Sequence, residues 1–372
     1  MYIRASLALT GEELELTRDA CITVNSDGVI ESIEGWGSCP SSSVGGAWAV
    51  IVPQPADAHI HSADGAFPEF GTELGLHELV APPSGLKYRM LSTLNVARLV
   101  TSIARTYLAA YAKGVGLVVD FREGGGAGCV AAQLARRSLP EGLDVLVLGT
   151  PGPSFPEGCA GLGLSSPLDY TEGFTAWLAS SFRPSLTHVA EDPRNRVEGD
   201  LEVALRAGFT AIVHGTYLSR ADLEALAERD VGLVLCPRSN MWHSLRLPPV
   251  LDAIEAGVTI GLGTDNAAWA DPDPWKEANI ALLVARQQGG RGVEEAVLRA
   301  LLAGGYEVVK QRGRVIVEGG RAHLVLVDGE TSGILRSIDT VSAIIKRAGD
   351  WLVARVDGDR LTYLSSSLGQ RL

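Results

Sequence analysis

A chain of 372 residues is long enough for one large barrel plus a smaller unit, and 46% hydrophobic with 20% charged residues indicates a compact globular protein. The net charge of −12 argues against a nucleic-acid partner, since binding a phosphate backbone requires clustered Lys and Arg. No run approaches the ~20 apolar residues of a membrane span, and the N-terminus lacks a signal-peptide core, so we expect a cytoplasmic protein without a membrane partner.

Both ends of the chain carry short β-type runs. The segment CITVNSDGVIESIEGW predicts a hairpin that turns at residues 26–28, because Ser-Asp-Gly suits a tight turn. Near the C-terminus, short β-type runs occur again in RVIVEGG, RAHLVLVDG, TVSAIIKRAGD and WLVARVDGDRL. These patterns predict small β units at both ends.

Between them, apolar strand-like runs alternate with amphipathic helix patterns, such as residues 92–113 and 221–229, at a spacing of roughly 25 to 30 residues. Eight strands are predicted, in AIVPQPADAHI, GVGLVVDF, LDVLVLGT, AGLGLSS, PSLTHVA, FTAIVHG, GLVLCP and TIGLGTD. Eight such βα units favour an α/β fold of the (β/α)8 type, whose active site lies where the strands end. An open, doubly wound sheet remains an alternative at this point.

Metal-ligand residue types collect at the predicted carboxyl ends of these strands. They are His59 and His61 in HIH, His188 in LTHVAED, His214 in IVHG and Asp265 in GLGTDN. Residues i and i+2 of a strand face the same side, so HIH presents two imidazoles in one direction. A third imidazole and a carboxylate complete a set suited to zinc or ferrous iron, with room for water. Singly each residue is more often structural, but their joint placement favours a metal site.

The same motifs resemble a known family. HIH, HVAE, HG, CPRSN and GTDN, after strands 1, 5, 6, 7 and 8, are similar in order and type to the cytosine deaminase and chlorohydrolase branch of the amidohydrolase superfamily. The terminal β segments resemble the split β-sandwich of that superfamily, although His323 replaces the usual aspartate of an Ala-Asp-Leu-Val run. The resemblance implies a barrel of residues 53–312 and a composite β-sandwich of residues 1–52 and 313–372.

The resemblance also implies roles for the site residues. His59, His61, His188 and Asp265 would hold one divalent ion, zinc or alternatively iron, while Glu191, His214 and Asp265 would be catalytic. The chemistry agrees, because a metal-bound water with a pKa near ~7 needs neighbours that accept and relay its proton. Binuclear relatives usually add a carboxylated Lys or a Glu at the end of strand 4 or 3. The segments LVLGTPGP and AGLGLSSP have neither, which favours a single metal.

Four more residues are candidates for substrate binding. Arg122 ends strand 2, while Asn240, Trp242 and Trp269 lie in the loops after strands 7 and 8, where aromatic walls would stack a heterocycle. A salt bridge with Glu123 explains Arg122 equally well, and loop packing explains the other three. The long segment 62–90 after strand 1 is predicted to be a lid.

Two further patterns point away from other functions. Residues 126–131 match the dinucleotide pattern GxGxxA, but the acid required at the end of the next strand is missing. An anion cradle at a helix N-terminus and a tight glycine turn both remain open for residues 124–128. The five cysteines have neither metal-type nor disulfide-type spacing, so we expect reduced thiols.

The function expected from these observations is metal-dependent hydrolysis of a C–N bond in a small nitrogenous heterocycle, most simply deamination. Alternatives on the same site are a cyclic amidase, a lactonase or a dehalogenating hydrolase. Outside enzymes, the alternatives are a catalytically silent metal-binding or ligand-binding barrel and a dinucleotide-binding protein. The sequence leaves a homo-oligomer open.

Overall fold

A computed structural model describes residues 1–152 and 154–364. Its strands are β1 (Tyr2–Thr10), β2 (Glu15–Val24), β3 (Ile30–Gly35), β4 (Val44–Pro53), β5 (Ala56–His61), β6 (Leu117–Arg122), β7 (Asp144–Gly149), β8 (Gly161–Leu164), β9 (Ser185–Val189), β10 (Ala211–His214), β11 (Gly232–Leu235), β12 (Ile260–Leu262), β13 (Asp265–Asn266), β14 (His323–Asp328), β15 (Leu352–Asp357) and β16 (Arg360–Tyr363). Its α-helices are α1 (Leu76–Val80), α2 (Leu86–Leu91), α3 (Val96–Ala112), α4 (Gly125–Arg136), α5 (Glu172–Ser181), α6 (Pro193–Val197), α7 (Asp200–Ala207), α8 (Arg220–Glu228), α9 (Pro237–Trp242), α10 (Val250–Ala256), α11 (Pro274–Gln287), α12 (Glu294–Arg299), α13 (Gly305–Glu307) and α14 (Thr340–Arg347).

The central sheet closes into a barrel of parallel strands. Its order is β12-β11-β10-β9-β8-β7-β6-β5-β13, and β12 and β13 are two parts of one eighth strand. The first part pairs with β11 and the second with β5, which joins the two edges. At the break, a Cβ on Gly263 would lie 2.7 Å from the Cβ of His59, so glycine permits the close approach. The (β/α)8 prediction is confirmed, and the open doubly wound alternative is wrong.

Several barrel strands are nearly continuous apolar runs because both of their faces are buried. On β6, Leu117, Val119 and Phe121 point into the barrel interior, whereas Val118 packs against the helices outside. Helices cover the outer face, and side chains fill the inner one. The ring of Phe121 lies 4.3 Å from the ring of His59, centroid to centroid, so this part of the interior packing ends directly beneath the predicted metal ligands.

The helices largely follow the predicted positions. Helix α3 begins after Asn95, whose side chain accepts a hydrogen bond from the backbone N–H of Arg98. Helix α8 begins after Ser219, which forms a reciprocal cap with Asp222. Within residues 1–152 and 154–364, no helix is long and apolar enough to cross a membrane.

The two ends of the chain together build a second sheet of seven strands. Its order is β16-β15-β14-β4-β1-β2-β3, so C-terminal and N-terminal strands meet where β14 pairs with β4. The predicted hairpin is present as antiparallel β2 and β3. The β prediction for TVSAIIKRAGD is wrong, because this segment contains helix α14, which packs against α11 and α12 of the barrel layer. The division at residues 52/53 and 312/313 therefore stays a proposal.

The cysteines differ from the prediction of reduced thiols. Cys21 is bonded to Cys39 and Cys129 to Cys159, across sequence separations of 18 and 30 residues. Cys236 is the free cysteine among the described residues, and it is buried. The prediction is wrong for these two pairs because only tertiary packing brings them within bonding distance, and linear spacing does not reveal that proximity.

Candidate metal centre and active site

The four predicted metal ligands converge at the carboxyl ends of three barrel strands. One donor atom from each residue lies within 4.8 Å of the others, in a set made of His59, His61, His188 and Asp265. The two histidines of β5 are two residues apart and therefore face the same side. All four side chains are buried, as a site that excludes bulk water requires. The parallel barrel thus brings together residues that are more than 200 positions apart in sequence.

Hydrogen bonds orient two of these imidazoles. The Nδ1 of His61 lies 2.9 Å from Oε1 of Glu123, and the Nδ1 of His188 lies 2.8 Å from the carbonyl oxygen of Leu164. Both partners can only accept, so each Nδ1 carries the proton and each Nε2 keeps its lone pair. Such outer partners are the usual means of fixing a metal-binding histidine.

The protonation of the cluster fits a divalent cation. Burial lowers the pKa of His59 to about 3 and the pKa of His188 well below its usual value, so both rings are neutral. Burial alone would raise the pKa of Asp265, but the hydrogen bond with His59 and the neighbouring imidazoles hold it well below its ordinary value. Three neutral nitrogens and one carboxylate form a donor set that suits a divalent metal ion. The Nδ1 of His59 has no hydrogen-bond partner among the described residues.

The predicted catalytic residues adjoin this cluster. Oε1 of Glu191 lies 3.5 Å from Nε2 of His214, and both side chains lie within 4.8 Å of Asp265. Burial, followed by the charge of Asp265, raises the pKa of Glu191 to about 8. Burial lowers the pKa of His214 to about 4. At neutral pH the pair is therefore a protonated carboxyl beside a neutral imidazole.

Two residues at these strand ends have a strained backbone. His214 has φ 72° and Asp265 has φ 64°, both in the left-handed region that non-glycine residues rarely adopt. Such conformations cost of order 1–3 kcal/mol each and persist where surrounding structure enforces them. Here they turn the two functional side chains toward the centre of the barrel mouth.

A cavity of about 290 Å³ opens onto the cluster. The segment 62–90, expected to be a lid, contains α1 and begins α2, and it forms one wall of the cavity with Leu76, Val80 and Tyr88. Glu191, His214 and Asp265 line the floor. The volume suits a small molecule.

Among the four substrate-binding candidates, only Trp269 lines this cavity. Its ring packs against His243, and its Nε1 has no hydrogen-bond partner in the described part of the chain. Asn240 is fully buried behind His214, with its Nδ2 3.4 Å from Nδ1 of that ring. It therefore supports the ring of His214 and does not line the cavity.

The predictions for Arg122 and Trp242 need correction. Arg122 is buried, pairs with Glu123 and donates a hydrogen bond to Oγ of Ser62. The salt-bridge alternative thus accounts for it, and no part of its side chain faces the cavity. Trp242 lies at the end of α9 with 46% of its side chain exposed, and its position is outside the cavity wall. The helical turn after CPRSN directs it to the surface.

Three residues near the centre were missed from the sequence. Lys87 is an amine-bearing residue that follows no predicted strand, yet α2 brings it into the cavity wall. Asp64 pairs with that amine. Ser239, within the CPRSN motif, donates a hydrogen bond to Oδ2 of Asp265. Of these three residues, only Ser239 could have been found from the sequence, because it belongs to the CPRSN motif, which is assigned to the end of strand 7.

Residues 124–128 form the start of helix α4, with Gly124 just before the helix and residues 125–128 in its first turn. The N–H of Gly125 donates to the carbonyl of Thr150, and that of Gly126 donates to Oγ of Ser154. With these amides already engaged, the anion cradle lacks support. Gly124 and Gly125 have φ 92° and 59°, which explains why glycine is required.

Comparisons with known proteins agree with this geometry. Residues 171–351 match the model of the amidohydrolase family. A protein of Methanothermobacter thermautotrophicus, provisionally named an aminohydrolase, is 28% identical over 84% of this chain and 88% of its own length. A 5-methylthioadenosine/S-adenosylhomocysteine deaminase of Natronomonas pharaonis is 34% identical over 35% of this chain and 31% of its own.

Solved structures share the fold. A zinc-bound adenosine deaminase from Xanthomonas campestris superposes with a TM-score of 0.77 at 16% identity, covering 97% of this chain and 92% of that one. A zinc complex of atrazine chlorohydrolase from Arthrobacter aurescens gives 0.75 at 17% identity, covering 97% and 94%. At this identity the likeness concerns architecture, and it extends over nearly the whole chain.

Proposed function

We propose that this chain, of which residues 171–351 match the amidohydrolase family model, is a hydrolase of C–N bonds other than peptide bonds and deaminates a small nitrogenous heterocycle. The observation that carries the proposal is the position of Glu191. Its carboxyl group lies in the cavity floor beside Asp265 and 3.5 Å from His214, where a ring or leaving nitrogen has to gain a proton. A lactone or a chloride leaving group has less need of such an acid.

We propose that the centre holds one ion, zinc in preference to iron, on His59, His61, His188 and Asp265. When bound, such an ion supplies an activated water at neutral pH. Three neutral imidazoles with a carboxylate are a common zinc donor set. The carboxyl ends of β7 and β8 carry no Lys, Asp or Glu that could bridge a second ion.

The chain's own residues then divide the proton transfers. Asp265 carries a charged carboxylate within reach of the centre, so it accepts the proton released by water. Glu191, protonated at neutral pH, delivers a proton to the substrate nitrogen. Neutral His214 forms a hydrogen bond with the group attached to the substrate carbon under attack. The indole of Trp269 stacks on the heterocycle of the substrate. The buried position of these groups excludes competing water.

The proposal is tested by an ammonia-release screen with metal-loaded protein. The first substrates are adenosine-type purine amines, because relatives are named for deaminating such compounds. Cytosine and amino-triazines follow, with chloride release and lactone opening measured in parallel. Ammonia release that the Glu191→Gln variant loses supports the proposal. Chloride release or lactone opening without ammonia release would assign one of the alternative leaving groups.

We also propose that the enzyme acts in the cytoplasm, without a nucleic-acid or membrane partner. The two disulfides argue the other way, because such bonds are usual in oxidising compartments and, inside cells, in hyperthermophile proteins. Thiol counting in protein alkylated at lysis tests this, since five free thiols would support a reducing compartment. Light scattering would measure the oligomeric state.

A further inference from the structure

We propose that Lys87 is a positioning residue that couples the lid to the metal ligand His61 through Glu123. The lid here means residues 62–91, from the end of β5 to the end of α2. The inference rests on the proposed metal site, and it concerns how that site is held together, whichever substrate it takes.

One oxygen atom joins the lid to the ligand. The amine of Lys87 lies 2.5 Å from Oε1 of Glu123, and the same oxygen lies 2.9 Å from Nδ1 of His61. Arg122 pairs with the other oxygen, Oε2, so each oxygen of the carboxylate forms an ion pair. A rotation of Glu123 would therefore break the ion pair with the lid and release the imidazole at the same time.

Lys87 also pairs with the start of the lid, which in turn contacts the end of the eighth strand. Its amine lies 3.0 Å from Oδ2 of Asp64, and this oxygen accepts a hydrogen bond from Nδ2 of Asn266, the residue next to the ligand Asp265. A single cation thus connects residues that follow strands β5 and β6 with the end of the eighth strand. Lys87 is 3% exposed, so this pairing is shielded from solvent.

The opposite charges of Lys87 and its two carboxylate partners make these ion pairs strong. Burial alone would lower the pKa of Lys87, but Asp64 and Glu123 raise it above its usual value, so the amine stays charged. Without that amine, two buried carboxylates would lose a shared counter-ion, a loss that proteins tolerate poorly. The lid also packs through an apolar cluster of Phe70 and Leu79 with Ala268. At its start, the N–H and Oγ of Ser62 donate hydrogen bonds to the carboxylate of Asp120.

Coupling between two sites is reciprocal. A docked lid holds Glu123, which keeps the proton of His61 on Nδ1 and the lone pair of Nε2 toward the centre. Occupation of the centre in turn holds His61 and Glu123 in place, which stabilises the docked lid. Loss of the charge behind a metal-binding histidine typically weakens metal binding ~10- to 100-fold.

The test compares Lys87→Met, Lys87→Arg and a control, Lys113→Met, in the full chain loaded with zinc. Lys113 also pairs with a buried carboxylate, at 2.8 Å from Asp273, but it contacts none of the proposed ligands. Two quantities are measured: the rate of zinc release to a chelator, and hydrogen exchange of residues 76–91 with and without zinc.

Lys87→Met is expected to release zinc ~10- to 100-fold faster than wild type, and its lid should no longer gain protection when zinc binds. Lys87→Arg should stay within a few-fold of wild type, and Lys113→Met should match it. If Lys87→Met does not fold, Lys87→Gln tests the same link, because glutamine keeps a polar donor but lacks the charge that pairs with Glu123.

Wild-type zinc release and an unchanged gain of lid protection in Lys87→Met would overturn the coupling while leaving the metal site standing. Accelerated release in Lys87→Met, together with no ammonia release by wild type from any heterocycle, would support the coupling and reject the proposed reaction. A wild-type chain that binds no zinc would reject both.

Discussion

Replacing Glu191 by Gln probes the step that distinguishes deamination from simpler hydrolysis. The side chain keeps its size and an N–H donor next to His214, but it loses the proton that Glu191 can transfer. With a pKa of about 8, the wild-type carboxyl is protonated in roughly nine molecules of ten at pH 7. General acid catalysis contributes ~10²- to 10⁴-fold, which corresponds to ~2.7 to 5.4 kcal/mol of barrier. Turnover should fall by that factor.

The assay is steady-state ammonia release with metal content measured on the same samples. Because the acid form is the active one, wild-type kcat should decline as pH rises through about 8, and this limb should vanish in Glu191→Gln. Metal-replete variant protein that still turns over within a few-fold of wild type would refute the assignment of Glu191 as proton donor. Loss of metal would instead make Glu191 a ligand or a support of one.

Four other outcomes are expected. Elemental analysis should find about one divalent ion per chain, and two equivalents, both required for turnover, would contradict the mononuclear site. Asp265→Asn removes a ligand and a proton acceptor together, so turnover should collapse even in metal-bound fractions, and near-normal turnover would contradict its role. Trp269→Ala should raise KM about tenfold or more through lost stacking, whereas Trp242→Ala, outside the cavity, should leave KM unchanged. Asp357 has its pKa held below its usual value by His323 and Arg355 despite burial; its stabilisation is therefore present at neutral pH and lost as pH falls below the unfolded value. Asp357→Asn should lower the free energy of unfolding by ~3 kcal/mol at pH 7, and urea titrations should show the difference shrinking toward pH 3.

Much of the barrel could be predicted from local patterns. Apolar strand-like runs located the eight strands, and several of these runs are nearly continuous because a strand buried on both faces lacks regular polar alternation. The spacing of His59 and His61 was equally informative, since the side-chain period of a strand is two residues. Parallel strands of a closed barrel end on one face. The proximity of His188 and Asp265 to the two histidines could therefore be predicted from the strand assignments alone.

The direction of side chains in loops could not be predicted in this way. Arg122 is the last residue of β6 and Trp242 the last residue of α9, yet the first turns into an ion cluster and the second toward solvent. Lys87 shows the reverse case, because it follows no strand and its amine nevertheless lies in the cavity wall. No periodicity governs such segments, and their side chains follow contacts with distant parts of the chain.

The sequence by itself therefore determined which strands form and which residues stand at their carboxyl ends, because strand period and burial are local properties of the chain. Tertiary structure decided what surrounds those residues: Glu123 behind His61, the ion pairs of Lys87 and the pairing of four cysteines. These depend on the packing of segments far apart in sequence. The donor residues could be named from the sequence, whereas their orientation, charge and enclosure required the folded chain.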